Sequence, residues 1–197
     1  MSNEMETIGN LKERIMDATV FEVNEKGLTF TMDDVARRLK ISKKTIYTVF
    51  RDKETLCMET VDYCFAEIKK AEQEIAGSTE LSIQEKIKKI IVALPERYRE
   101  IDFHKLQGGR EKYPRVYKRM VEKLHGGWET TIALLKEGIS CGELKPFPIP
   151  VFRCMVESTI EAFLESDTLS NVGCSYEEAL EDMVAILWEG IRNDQKR

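Results

Sequence analysis

The sequence predicts an all-α fold of about nine helices, on three observations. Apolar residues recur at three- and four-residue spacing along nearly the whole chain, and no strand-type alternation of useful length appears. Residues suited to helix N-caps, Thr31, Ser42 and Asp52, stand just ahead of three of these periodic segments. Glycine and proline fall where the periodicity stops or falters, at Gly27, Gly77, Pro95, Gly108-Gly109, Pro114, Gly126-Gly127 and Pro146 to Pro150. Together these place helices at 8–26, 32–39, 43–49, 53–75, 82–94, 96–107, 114–138, 150–166 and 176–193. A length of 197 residues, 42% of them hydrophobic, supports one or two compact domains with a sizeable core.

The first helix carries Ile8, Leu11, Ile15 and Ala18 on one face, with Phe21 close to it, and that face is expected to pack on the next two helices. Gly27 follows as its natural C′ residue. The second helix opens on Thr31, with Asp34 three residues on in an approximate capping box and Asp33 also in the first turn, where the helix dipole favours negative charge. Val35, Ala36 and Leu39 share its inner face. Ile41 turns back to the core, Ser42 caps the third helix, and Ile46, Val49 and Phe50 point inward. Lys43, Lys44, Thr45, Tyr47 and Thr48 are left facing out. Asp52 caps the helix from 53 to 75, which is expected to link two domains and ends at Gly77-Ser78.

Two short helices about a tight turn, with a third beginning straight after, have the layout of a helix-turn-helix DNA-binding unit. Hydroxyls, amines and one phenol on the outer face suit phosphate oxygens and base edges. From Arg37 to Lys53 the basic residues Arg37, Arg38, Lys40, Lys43, Lys44, Arg51 and Lys53 face a single acid, Asp52, a local balance of +6 in a chain of net charge −5. A basic patch on an acidic protein is an electrostatic footprint for a polyanion.

Gly27, Thr31, Val35-Ala36, Ser42, Thr45-Ile46-Tyr47, Phe50, Lys53-Glu54 and Leu56 together resemble the DNA-binding domain of TetR-type transcriptional regulators. The resemblance implies a three-helix DNA-binding domain at 1–53 and a helical effector-binding and dimerisation domain at 54–197. It implies a ligand-responsive regulator that binds double-stranded DNA at a palindromic operator, a repressor released by a small-molecule effector. On matching positions, Thr45 and Tyr47 are the backbone- and base-contacting pair, and Lys43 and Lys44 the variable start of the recognition helix. Lys53 grips a phosphate, and Thr31 both caps its helix and touches the backbone. With Thr48 and Arg51 these form the expected DNA-contacting set. The chain departs from the family pattern at three places, with Lys40 for a turn glycine, Lys44 for a small residue, and Val49 for an aromatic or histidine.

The middle of the chain is where an effector is expected. Tyr98, Phe103, His104, Tyr113, Tyr117, His125 and Trp128 make an aromatic-rich stretch with polar tips, and the six other than Tyr113 form the candidate effector set. The last two helices carry broad apolar stripes, Val151, Phe152, Met155, Val156, Ile160, Phe163 and Leu164, then Leu180, Met183, Val184, Leu187, Trp188 and Ile191. Proteins that resemble TetR regulators pair through these helices, so a homodimer is expected there. His104 and His125 are isolated in sequence, and the five cysteines show no paired spacing. No metal, cofactor or catalytic residue is therefore expected, and an enzyme ranks below the regulator. An effector-independent DNA-binding protein of the same fold is the other alternative. No run approaches the roughly 18 apolar residues of a membrane span, and the start MSNEMETIGN is polar and acidic, unlike a signal peptide. The expected location is the cytoplasm.

Overall fold

The computed structural model describes residues 2–95, 98, 109–165, 169, 171 and 173–193. The described elements are α1 (Ser2–Lys26), a 3-10 turn (Gly27–Thr29), α2 (Met32–Leu39), α3 (Lys43–Tyr47), α4 (Lys53–Gly77) and α5 (Ile83–Ile91). They continue with α6 (Gly109–Lys112), α7 (Pro114–Leu124), α8 (Glu129–Ser140), α9 (Ile149–Glu165) and α10 (Tyr176–Ile191). Among the described residues no strand forms. With the single turn α6 taken together with α7, nine helices stand there. The helix expected at 96–107 lies outside the described residues apart from Tyr98.

The chain forms two compact units, Met1–Phe65 with Ile101–Glu122, and Ala66–Glu100 with Lys123–Arg197. In the first, Ile15, Phe30, Val35, Ile46, Phe50 and Leu56 are fully buried, and Val116 of α7 joins their cluster. Each such side chain contributes about 1.5–3 kcal/mol by leaving water. Val49 is only partly buried at the edge of this cluster. Phe21, expected near the inner face, is exposed and lies under the guanidinium of Arg38 at 5.3 Å. Thr19 and Thr60 are buried, and their hydroxyls donate to the carbonyls of Ile15 and Leu56 four residues back.

In the second unit α5 packs on α8, and α9 and α10 close over them. Ile87, Leu135, Leu144, Phe152, Val156, Met183 and Trp188 make its core. Phe152, Val156, Ile160 and most of the α10 stripe are thus spent within one chain, leaving Val151, Met155 and Ile186 exposed. The helix expected at 114–138 is broken in two at Gly126-Gly127. Gly127 has φ +72, and Lys69 of α4 donates to its carbonyl at 2.6 Å. The backbone conformation favours glycine, and a Cβ there would stand 2.3 Å from Lys69 Cε, so the end of that flexible side chain would have to shift. α5 ends at Ile91, short of the expected 94 and ahead of Pro95.

Candidate nucleic-acid interface

α3 is only five residues long, so its orientation comes from what flanks it. Ser42 accepts from the Thr45 amide at 3.1 Å, and the hydroxyls of Ser42 and Thr45 share a hydrogen bond of 2.8 Å. Ile46 and Phe50 are fully buried and anchor its inner side. The turn before it is a Schellman closure: Ile41 N–H donates to Ala36 carbonyl at 3.0 Å, and Lys40 N–H to Arg37 carbonyl at 3.2 Å. Lys40 takes φ +56, the one positive-φ non-glycine residue described. Lys43, Lys44, Tyr47 and Thr48 are exposed on the outer side, with Thr45 partly buried. Thr48 donates its hydroxyl to Thr45 carbonyl at 2.7 Å. The Tyr47 ring, 46% exposed, stands among them.

Thr31 caps α2 in a full capping box, its amide and hydroxyl each donating to Asp34 at 2.8 Å and its oxygen accepting the Asp34 amide. Lys26 also reaches Asp34 at 2.8 Å. Hydrogen bonds from Lys26 and Thr31 hold the Asp34 carboxyl far below the usual carboxylate range. Behind α2, Arg38 donates to Glu22 at 2.7 Å and to Glu25 at 2.6 Å. Burial pushes Glu22 up, but its hydrogen bonds with Lys26 and Arg38 outweigh burial and leave it lowered.

The basic patch is therefore less uniform than its composition. Arg38 is committed to α1. Arg51 pairs with Asp52 at 2.9 Å, and Asp52 also accepts the Thr55 amide as the α4 cap. Lys43 pairs with Asp33 at 2.9 Å. Lys53 turns inward: its ammonium donates to the carbonyls of Leu28, at 2.8 Å, and Phe30, and lies 4.0 Å from the Phe30 ring centroid. Two of its three donors are thus engaged within the fold. Lys40 and Lys44 have no ion pair among the described residues, and Arg37 is widely exposed beside Asp34.

A capped, buried-side-anchored helix with an amine and phenol face, reached through a tight turn, is the geometry of a helix-turn-helix reading unit. Residues 15–60 match the family model described as bacterial regulatory proteins, tetR family. Residues 15–60 are a tetR-type DNA-binding segment. Among its relatives is YvaF of Bacillus subtilis (strain 168), described as an uncharacterized HTH-type transcriptional regulator, 25% identical over 186 residues and covering 94% of this chain and 98% of that one. The fold is shared with FadR from Bacillus subtilis, solved in complex with stearoyl-CoA, at TM-score 0.63, 20% identity, and 91% and 99% of the two chains. It is shared also with the fatty acid degradation regulator FadR from Bacillus halodurans, at TM-score 0.64, 19% identity and the same coverage.

The described candidate effector residues are divided between the two units. Tyr117 belongs to the first unit, with Arg110 5.7 Å from its ring, and Tyr113 there lies 5.1 Å from the Lys53 ammonium. Tyr98, His125 and Trp128 belong to the second unit. Tyr98 is fully buried, and His125 and Trp128 share a partner in Arg153 of α9. The Arg153 guanidinium stands over Trp128 at 5.7 Å, donates to the His125 carbonyl, and pairs with Glu157 at 2.7 Å, while His125 meets Glu161. Phe103 and His104 lie outside the described residues. The sequence reading missed Arg153. The same reading set Asp33 down as a helix-start residue only. Asp33 meets a lysine on another helix, and of the partners of Arg153 only Glu157 shares its helix, so the contacts with Trp128 and His125 had no local signal.

Proposed function

We propose that the chain is a TetR-family transcriptional regulator, a cytoplasmic homodimeric repressor that reads palindromic double-stranded DNA and is released by a small-molecule effector. The observation that carries the DNA half is the outer face of α3. Lys44, Tyr47 and Thr48 are exposed there, while Ile46 and Phe50 fix the helix from beneath. Residues 1–53 serve as the DNA-binding domain and 54–197 as the effector and dimerisation domain. Thr31, Lys43, Lys44, Thr45, Tyr47, Thr48 and Arg51 contact DNA. Lys53 supports them, and its one remaining donor serves a phosphate. Phosphate contacts supply the salt-dependent affinity, and the leading residues of α3 supply register and sequence.

The effector half draws on kinship with a solved regulator holding stearoyl-CoA. An effector favours release only where it binds the DNA-free state more tightly. Selection of bound fragments from genomic DNA at two salt concentrations tests the first half. Enrichment of a palindromic site is the expected result, and salt-sensitive binding with no enriched motif overturns sequence reading by α3. With that site in hand, stearoyl-CoA is the first effector probe. Release of the site by micromolar ligand supports effector control by a long-chain acyl thioester, and unchanged binding rejects that ligand class.

A further inference from the structure

We propose that Asp33 is a positioning residue for DNA recognition: its carboxylate holds the Lys43 ammonium at the leading edge of α3, silencing one charge toward non-specific duplex. This rests on the DNA-reading role proposed for α3. The two groups are 2.9 Å apart, both about half exposed, and they join the first turn of α2 to the first turn of α3.

Beyond its favourable place in the first turn of α2, Asp33 makes no other ion pair among the described residues. The capping box of α2 runs through its neighbour Asp34, which takes the amide and hydroxyl of Thr31, the ammonium of Lys26 and the guanidinium of Arg37. An acid at position 33 is therefore surplus to capping, yet it stands against the first basic residue of the reading helix.

The consequence follows from counterion release. A free lysine that meets a phosphate releases one condensed cation, so it steepens the salt dependence of binding by about 0.9 in log–log slope. A lysine that stays paired with Asp33 makes no phosphate contact and releases none. On random sequence the base edges seldom match the seating of α3, so Lys43 stays with Asp33 and the contact is withheld. A matched site seats α3 in the groove and sets guanine O6 and N7 against the ammonium in addition to the phosphates, and these acceptors together displace Asp33. Exposed pairs of this kind are weak, on the order of 0–1 kcal/mol, so DNA is able to break this one. Asp33 thereby lowers affinity for wrong sequence more than for right sequence, a specificity gained by withholding a contact.

The test compares wild type, Asp33→Asn, Lys44→Met and Asp33→Asn/Lys43→Met. Salt titrations are run on a random-sequence duplex and on the selected site. Asp33→Asn is expected to steepen the random-duplex slope by about 0.9 and to reduce the ratio of selected to random affinity. The steepening is expected to vanish in the double variant. Lys44→Met, which removes an unpaired lysine, is expected to make the slope shallower by about 0.9. An Asp33→Asn slope equal to wild type, with Lys44→Met still shallower, overturns the role of Asp33 alone. Affinity lost only at the selected site also overturns it, because Asp33 would then be reading a base itself. A wild-type protein without salt-dependent duplex binding removes the DNA reading, and this inference with it. Equal unfolding temperatures of Asp33→Asn and wild type exclude a folding cause.

Discussion

Two lysines nine positions apart, Lys44 and Lys53, belong to one basic patch and do opposite things. Lys53 caps the carbonyls of Leu28 and Phe30 from the first turn of α4, so removing its ammonium leaves two acceptors with fewer donors. Lys53→Met, which keeps much of the stem against Phe30, is expected to lower stability by about 1–3 kcal/mol, read from urea melts. Lys44→Met is expected to stay within about 0.5 kcal/mol of wild type while weakening DNA. A Lys53→Met protein as stable as wild type would return that residue to a purely phosphate-gripping role. Lys40 sits at φ +56 where glycine is unstrained, and Lys40→Gly is expected to stabilise by about 1 kcal/mol. Titration adds a sign. Asp34 is lowered by Lys26 and Thr31, and Asp52 is lowered to about 2, chiefly by the Thr55 amide. Groups with a depressed folded pKa contribute stability above their ordinary value, near 4, and lose it as pH falls through the folded one. Glu72, raised by burial, runs the other way, its contribution present in acid and lost as pH rises through its folded value. Wild type is expected to lose stability as pH falls below about 4, with a smaller loss in Asp34→Asn; equal losses in chemical denaturation would show that Asp34 is not part of the acid response.

Elements were legible where their signals are local. Thr31 and Ser42 mark the starts of α2 and α3, and Val35, Ile46 and Phe50 mark their inner faces, because capping and helical spacing act within four residues. The inward turn of Lys53 was not legible, since its acceptors lie 23 and 25 positions away. The clamp of α7 onto α4, in which Arg119 donates twice to Asp62 at 2.9 Å, was equally hidden across 57 positions. The break between α7 and α8 is an intermediate case. Gly126-Gly127 signalled weakness in a helix, but not that Lys69, 58 positions away, would donate to the Gly127 carbonyl at the break. Gly127→Ala is expected to cost more than about 1 kcal/mol, because it meets both a positive φ and the Lys69 side chain. Adding Lys69→Ala is expected to recover only part of that loss in thermal melts, since the backbone strain remains. Full recovery would place the whole cost in the contact with Lys69.

At the scale of the whole molecule, the proposed function requires a second copy, because two half-sites of a palindrome ask for two reading helices about 34–36 Å apart. Most of the apolar stripe on α9 and α10 is consumed by the core of its own unit, so the stripe by itself does not demand a partner. What remains is narrower and more telling. Val151 and Met155 stand exposed on α9 at four-residue spacing, and Ile186 is 74% exposed on α10. These side chains have no role in the core of one chain, so a charge placed on them tests association without unfolding the helix beneath. Met155→Glu with Ile186→Glu is expected to halve the solution mass measured by sedimentation and to leave the helical circular dichroism unchanged. Linked half-sites gain about 10²–10⁴-fold over a single one, so the same variant is expected to lose that factor on a palindrome. It is expected to bind an isolated half-site as wild-type protein does. A variant that stays dimeric would move the association surface off α9 and α10. A wild-type monomer that still selects palindromes would mean that two chains meet only on the DNA.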